Sequence, residues 1–299
     1  MIRKVSKHGP LSLSVSLPII WVRNNNVTGG SNVQVDLQSN KLIISPLQKA
    51  KEKSTQLQCA KSKKLLEYLI AIHYRYGSDS LEVHYPPSFI KNIHEVLQSM
   101  IGFEIVDQHD KSCIIRDLSK DEEQDFEVIL KRMWLVAKGM IADLCTASPS
   151  EEIISSIQER DRYINKYRAY LIRIIMKNNL YSSESYGYVN LINTLESLCD
   201  EIKDLAKRYF VQQLSAKEKA ILNLFHESFL SSHALFYHFN EDKAEIVFRR
   251  LEEMLLLRDA YSGKSARELF LYALISCFVL RYKNLIYAII ELRHQNLNA

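Results

Sequence analysis

Three short segments near the start of the chain decide its fold: SLSVSLP at residues 12–18, VQVDL at 33–37 and LIISP at 42–46. Apolar and polar residues alternate in the first two, which is the period of a strand with one buried face. Pro18 ends the first strand and can begin a short helix, and the runs at 28–32 and 39–41 have the composition of turns. We therefore predict a four-stranded β module over residues 1–46, called the head below.

The small size of the head predicts that it pairs with a second copy. Four short strands in 46 residues enclose only a marginal hydrophobic core. A homodimer through the head is therefore expected on physical grounds alone.

Positive charge is concentrated at the same end of the chain. Residues 1–64 carry 11 Lys and Arg against two acids, a net charge of +9, whereas the whole chain carries +4. Such asymmetry points to a nucleic-acid or membrane partner for the basic part. The lysine-rich run at 49–64 fits a solvated linker equally well.

Residues 55–118 have the pattern of a mixed α/β region. An apolar stripe at 65–72 predicts a helix that stops at Gly77, and LEVHY at 81–85 predicts a strand. Pro86 and Pro87 open a second helix, which Gly102 breaks. The segments 103–106 and 112–115 then predict a hairpin.

From residue 119 onward the sequence predicts helices only. The pattern Ser-x-x-Glu, or its Ser-Pro-x-Glu variant, marks helix starts at Ser119, Ser148, Ser215 and Ser265. In this capping box the serine hydroxyl accepts a hydrogen bond from the backbone N–H of the glutamate, and the glutamate side chain accepts one from the backbone N–H of the serine. Six long helices follow, at about 120–147, 149–179, 184–213, 216–238, 241–261 and 265–297. We expect a mainly α protein whose body is two tandem three-helix bundles, 119–213 and 214–299.

The remaining composition indicates a cytoplasmic protein that is not an enzyme. Five widely spaced cysteines without C-x-x-C are typical of free thiols in a reducing compartment. No secretory h-region is present, and the longest apolar run, 269–280, is too short to span a bilayer, so we predict a buried helix and no membrane insertion. The usual phosphate-loop, metalloprotease and acyl-transfer motifs are missing.

The head resembles the AbrB/SpoVT family of swapped-hairpin domains. The resemblance rests on R-K-V-x-K-x-G at residues 3–9, followed by S-V-S-L-P, W-V, V-x-V and L-I-I-x-P. It implies a homodimer in which two heads interlock into one double-layered barrel whose basic face binds duplex DNA. The matching basic positions here are Arg3, Lys4, Lys7 and Arg23. Where the family usually has Gly-Asp before its last hairpin, this chain has Gly30-Ser31-Asn32, whose residues still suit a turn.

The chemistry of these positions agrees with DNA binding. Arg and Lys on a β scaffold can neutralise phosphates, with affinity that falls steeply as salt rises. The Asn run at 24–26 could add hydrogen bonds to bases or sugars, although a solvated loop explains it too. Arg3 and Lys4 could instead protect an edge strand from aggregation.

The helical body resembles the PhoU family of phosphate-uptake regulators. The segments that carry this resemblance are GFEIVD at 102–107, LKRM at 130–133, QERD at 158–161 with INK at 164–166, and LESLCD at 195–200. An AbrB-like head, an α/β region and a PhoU-like body in this order resemble a fusion found among archaeal phosphate regulators. The resemblance covers nearly the whole chain.

PhoU-like proteins bind metals through Glu/Asp-x-x-x-Asp motifs, and this chain keeps only one of them. Glu196 and Asp200 are four residues apart, which places both carboxylates on one helix face where they could bind a divalent or iron-type metal. The preceding helix has Tyr163 and Asn165 instead of an acidic pair, and the final helix has Asn284 and Tyr287. Ion pairs with Lys203 or Lys207 are the alternative, so no cofactor is predicted as obligatory.

Two functions remain open. The first is a DNA-binding transcriptional regulator linked to phosphate uptake, in which the body senses a ligand or partner. The second is an interaction scaffold whose body contacts a transporter or signalling protein while the head only dimerises. An antitoxin is a lesser variant, because antitoxins usually follow the head with a short disordered tail. The sequence specifies neither the operator nor the effector.

Overall fold

The chain folds as two compact units, Met1–Lys51 and Glu52–Ala299. The computed structural model describes residues 2–38, 41–46, 53–58, 62–119, 123–146, 150–178, 184–209, 216–260 and 265–297. Of the lysine-rich run at 49–64 they include 53–58 and 62–64, and the turn predicted around residues 39 and 40 lies outside them.

The head contains the predicted four short strands and one helix. Strand β1 (Ser6–Lys7) pairs with β2 (Leu13–Ser14), and β3 (Val33–Gln38) pairs with β4 (Lys41–Pro46), both antiparallel. Helix α1 (Ile19–Asn24) follows Pro18 as expected, and Gly30 adopts a left-handed φ of 88° in the turn before β3. Strand β2 is shorter than the predicted 12–17 segment. Among the described residues of one chain the strands form two separate hairpins rather than a closed barrel.

The second unit begins with an α/β region built on a four-stranded sheet. Its elements are β5 (Ser54–Leu57), α2 (Lys63–Arg75), β6 (Ser80–His84), α3 (Ile90–Leu97), β7 (Phe103–Gln108) and β8 (Ser112–Asp117). The strand order is β5-β6-β8-β7, with β5 parallel to β6 and the other pairs antiparallel. The two helices and the hairpin predicted for this region are confirmed. Gly77 ends α2 in a left-handed conformation, with a φ of 76°.

Strand β5 was not predicted from the sequence. Its residues, STQL, lie inside the lysine-rich run for which a solvated linker was one of two equal interpretations. Lys53 fixes the start of β5, because its backbone N–H donates to Asp79 Oδ2 at 2.8 Å and its carbonyl accepts from the N–H of Asp79 at 3.0 Å. The basic segment is thus partly structured.

In the described residues from 123 onward, the second unit contains the six long helices that were predicted. They are α4 (Glu123–Thr146), α5 (Glu151–Asn178), α6 (Ser185–Tyr209), α7 (Ala216–Tyr237), α8 (Glu241–Asp259) and α9 (Ala266–Leu297). The capping box at the start of α9 is confirmed: Ser265 N–H donates to Glu268 Oε2 at 3.1 Å, and Glu268 N–H donates to Ser265 Oγ at 3.2 Å. The other three predicted boxes lie partly outside the described residues.

The six helices pack into one body, in which the most extensive helix pair, α6 with α9, joins the two predicted three-helix groups. Helices α4, α5 and α6 pack together, as do α7, α8 and α9, while α4 contacts α7 and α6 contacts α9. Trp134 on α4 lies against Phe229 and Phe236 on α7, at ring distances of 5.4 and 5.6 Å. Buried side chains of the sheet and of all six helices belong to one continuous apolar core.

Helix α9 contains the apolar run that raised the question of a membrane span. Ile275 and Phe278 are buried as predicted, but Leu269 and Leu280 on the opposite face are exposed. No helix within the described ranges combines the length and the apolar content needed to cross a bilayer.

A buried cationic residue joins the sheet to the helices. Arg173 on α5 is fully buried, pairs with Asp117 at the end of β8, and donates to the carbonyl of Tyr74 at 2.7 Å. Lys177, one turn later, binds Asp117 at 2.9 Å and Asp79 at 2.8 Å. The C-terminal part of α5 is therefore anchored to the sheet by charge as well as by apolar packing.

Candidate nucleic-acid interface and carboxylate cluster

The four basic residues predicted to bind DNA are all exposed in the head. Arg3 and Lys4 precede β1, Lys7 lies in β1, and Arg23 lies in the last turn of α1. Within the described part of the chain, no carboxylate lies within ion-pair distance of any of them. Their charge is therefore available to a polyanion.

The neighbouring asparagines differ in what they can offer. Asn25 uses its side-chain amide to donate to the carbonyl of Trp21 at 2.9 Å, so it caps the C-terminus of α1. Asn24 and Asn26 are exposed, and Asn26 adopts a left-handed φ of 50°, which Asn tolerates. The asparagine run thus combines a structural cap with two accessible side chains.

The head leaves its apolar side chains uncovered. None of its described residues is buried. Leu37 and Leu42 face each other across β3 and β4 and are 82% and 63% exposed, and Leu13 on β2 is 74% exposed. Apolar side chains of this size are stabilised by about 1.5–3 kcal/mol each when buried, so this surface favours association.

The predicted metal ligands lie in a cluster of carboxylates between α5 and α6. Glu196 and Asp200 are on α6, and Asp161, 6% exposed, comes from α5. Lys203 binds Asp161 at 2.7 Å and Asp200 at 2.5 Å. Arg168 lies 3.9 Å from Glu196.

Burial sets the electrostatics of this cluster. Desolvation raises the pKa of Asp161 and of Glu196, although the cations Lys203 and Arg168 act in the opposite direction. Burial alone would lower the pKa of Lys203, but its hydrogen bonds to Asp161 and Asp200 outweigh this and raise the pKa to about 12. Lys203 therefore stays protonated at neutral pH and compensates the carboxylates.

The cluster does not fit a metal ion. The ammonium of Lys203 already lies between two of the carboxylates, where a cation would bind, and the third pairs with Arg168. Within the described ranges, no group of three or more His, Cys, Asp or Glu side chains is placed to hold a metal. The ion pair of Asp200 with Lys203, which the sequence offered as an alternative, is present, whereas Glu196 pairs with Arg168 and Lys207 pairs with Asp204 at 4.0 Å.

Asp161 is the member of the cluster that the sequence did not single out. A search for acids four residues apart passes over it, because residue 165 is Asn. The Asn165 amide nevertheless donates to Asp161 Oδ2 at 3.3 Å and to its carbonyl at 3.1 Å. The sequence signal that could have identified Asp161 is its Asp-x-x-x-Asn spacing with Asn165, because residues four apart lie on the same face of a helix.

Comparisons of this chain with family models, with curated proteins and with solved structures gave no match. The resemblances to the AbrB/SpoVT and PhoU families therefore stay predictions from the motifs.

Proposed function

We propose that this protein is a DNA-binding transcriptional regulator that binds duplex DNA through its head. The observation that carries the proposal is the exposure of Arg3, Lys4, Lys7 and Arg23 on a small β scaffold that presents no carboxylate partner to them among its described residues. Guanidinium and ammonium groups held this way bind phosphate oxygens and release counterions, which gives affinity that depends strongly on salt.

The head acts as a homodimer in this proposal. The exposed leucines of β2, β3 and β4 give a second copy an apolar surface to cover. Among the residues that the structure describes, β1 and β2 form a sheet separate from that of β3 and β4. An interlocked barrel of two heads, as the AbrB/SpoVT resemblance implies, would bury these side chains. It would also present two sets of basic residues to one duplex, as dimeric DNA-binding proteins commonly do.

The helical body supplies the regulatory part. The sheet and the six helices share one core, and Arg173 and Lys177 anchor α5 to the sheet. A ligand that prefers one packing of the helices would therefore also shift the α/β region that follows the head, by population shift. The PhoU resemblance supports a link between this cue and phosphate uptake.

The proposal is tested by fluorescence anisotropy with a labelled duplex from upstream of the protein's own gene, alongside a scrambled duplex, at several salt concentrations. We expect tighter binding to the native duplex and a linear fall of log affinity with log salt. The triple variant Arg3→Ala, Lys4→Ala, Lys7→Ala should bind more weakly, with a salt slope reduced by about one for each lost phosphate contact.

A matched control is provided by the body. Changing Lys131, Arg132 and Arg162, all exposed on α4 and α5, to Ala removes the same charge from a surface outside the head. DNA affinity should then stay close to that of the wild type. Equal loss in both triple variants would indicate nonspecific attraction, and no binding at low salt would eliminate the regulator.

An interaction scaffold is the second candidate, and one feature of α9 favours it. Leu280 and Tyr287 are seven residues apart on one face of α9 and are about half exposed, and Leu269 and Cys277 are exposed on the same side. Apolar side chains in a helical stripe suit docking of a partner helix. If the head binds no DNA, this face is the surface to change next, by Leu280→Asp.

A further inference from the structure

A groove of about 340 Å³ lies over the C-terminal half of α5, between α2 and α6. Its floor is formed by Arg168, Ile172 and Met176, which are four residues apart and therefore lie in one row along α5. The wall from α2 contains Tyr68 and Arg75, and that from α6 contains Val189 and Asn193.

Two guanidinium groups line the groove, and one of them has no carboxylate partner among the described residues. Arg168 donates from Nε to Asn193 Oδ1 at 2.7 Å and lies 3.9 Å from Glu196, so α6 holds its side chain in place and offsets part of its charge. Arg75 lies over the ring of Tyr68 at 6.0 Å and has no carboxylate partner among the described residues. None of the described residues that line the groove is acidic. Two guanidiniums in the lining of one groove favour an anion with two or more oxygens, such as a phosphate.

The same groove offers surfaces for a flat ring. Tyr68 and Tyr76 are both 60% exposed at the α2 wall, and neither ring takes part in the apolar core. Met176, 44% exposed, extends the apolar surface between them and α6. Exposed tyrosines beside a soft apolar floor stack well on planar groups.

We propose that this groove binds a nucleoside monophosphate, with the phosphate held by Arg75 and Arg168 and the base against the tyrosines of α2. The groove lies near the lower end of the ~300–1,000 Å³ range of small-ligand sites, which suits a mononucleotide better than a dinucleotide. A second groove, between α3 and α5, serves as a contrast. Its lining mixes Glu95 and Glu159 with Arg162 and Lys166, so it offers an anion no net attraction.

The experiment is isothermal titration calorimetry of the full chain, without DNA, with AMP, GMP, CMP and UMP. Adenosine and inorganic phosphate are titrated separately to isolate the two halves of the ligand. We expect at least one monophosphate to bind more tightly than either half. Arg75→Ala and Tyr68→Ala should each weaken it by about 10-fold, since a charge-assisted hydrogen bond or a stacked ring contributes on that scale.

Matched controls come from the neighbouring groove on the same helix. Arg162→Ala and Tyr163→Ala remove one arginine and one half-exposed tyrosine of α5 and should leave nucleotide affinity unchanged. Arg75→Lys keeps the positive charge but loses the planar guanidinium that can form two parallel hydrogen bonds. The nucleotide affinity of this variant should therefore lie between those of the wild type and Arg75→Ala. Circular dichroism confirms that each variant is folded.

Three results would overturn the proposal: no binding of any of the four monophosphates, binding of phosphate or adenosine as tight as that of the nucleotide, or equal loss in the control variants. Because the titration contains no DNA, its failure leaves the DNA-binding proposal untouched. Failure of DNA binding likewise leaves the nucleotide site standing.

Discussion

The guanidinium of Arg173 is buried against the carboxylate of Asp117, between the C-terminal part of α5 and the end of β8. It also lies over the rings of Tyr74 and Phe103, at 4.9 and 5.0 Å. Ser119 donates its backbone N–H to the other oxygen of Asp117 at 3.0 Å. A buried charge that is paired and hydrogen-bonded in this way favours one arrangement of the sheet against the helices.

We expect Arg173→Ala to destabilise the protein strongly. The change leaves the carboxylate of Asp117 buried with only part of its compensation, and removal of one partner of a buried pair costs about 3–5 kcal/mol. Urea unfolding measures the difference in the free energy of unfolding. Arg162→Ala, at an exposed position of the same helix, should change it by no more than about 0.5 kcal/mol. A similar loss in both variants would contradict the role given to Arg173.

Lys203→Ala should destabilise the protein in a pH-dependent way. Without the ammonium, ionised Asp161 is buried without its cation, at a cost on the order of 3 kcal/mol at pH 7.5. Its pKa, already raised by burial, then rises further, so the folded state binds a proton more readily than the unfolded state. The stability of the variant should therefore recover as the pH falls toward the ordinary carboxylate range.

Lys207→Ala is the matched control for Lys203→Ala. Lys207 pairs with Asp204 at 4.0 Å on the same helix, and both side chains are about half exposed. Exposed pairs of this kind contribute about 0–1 kcal/mol. Urea unfolding at pH 5 and 7.5 should show little change for this variant at either pH. A loss for Lys203→Ala that does not depend on pH would argue against the carboxylate compensation.

Leu37→Asp should separate the protein into monomers. A charge at this cross-strand pair with Leu42 opposes burial of the apolar surface that we assign to the head dimer. Sedimentation velocity should show a dimer for the wild type and a monomer for the variant. Leu256→Asp, at a leucine on α8 that is 72% exposed, should remain dimeric. A monomeric wild type would contradict the assigned dimer directly.

Alkaline pH should unfold the protein through its buried tyrosines. Burial raises the pKa of Tyr237 to about 12 and that of Tyr282 further. Above the ordinary tyrosine pKa of about 10 the unfolded chain ionises while these folded groups stay neutral, so stability falls as pH rises.

Tyr282→Phe tests this origin of the alkaline transition. The variant loses the hydrogen bond from the Tyr282 hydroxyl to the carbonyl of Ser228, at 2.7 Å, and about 1 kcal/mol of stability at neutral pH. Its stability should decline less steeply between pH 10 and 12 because one buried phenol is absent. Urea unfolding across this range measures the slope, with Tyr287→Phe on the exposed side of α9 as the control.

Local signals in the sequence predicted most of the secondary structure. Ser265 and Glu268 form the predicted capping box, and Gly77 ends α2 where the pattern placed the stop. Such features depend on residues close together in the chain, which is why the sequence reveals them. Strand β5 was missed because its pairing partner, β6, lies on the far side of α2 and the intervening lysines suggest a linker.

The sites depended on contacts that the sequence does not show. The Lys203 ammonium between Asp161 and Asp200 joins two helices, so the acidic spacing on α6 alone suggested a metal. The groove over α5 needs three helices at once. The apolar run LIRII at 171–175 indicates that Arg173 is buried, but no residue near it in the sequence identifies Asp117 as its partner.

The distance along the chain between Asp117 and Arg173 bears on how the protein folds as it is synthesised. Fifty-six residues separate the two partners, and 99 separate Arg173 from the carbonyl of Tyr74. The sheet therefore emerges from the ribosome before the cation that compensates its buried carboxylate, and domains fold as they emerge. A nascent chain that ends within α5 should thus be a vulnerable intermediate, open to proteases and chaperones until Arg173 docks.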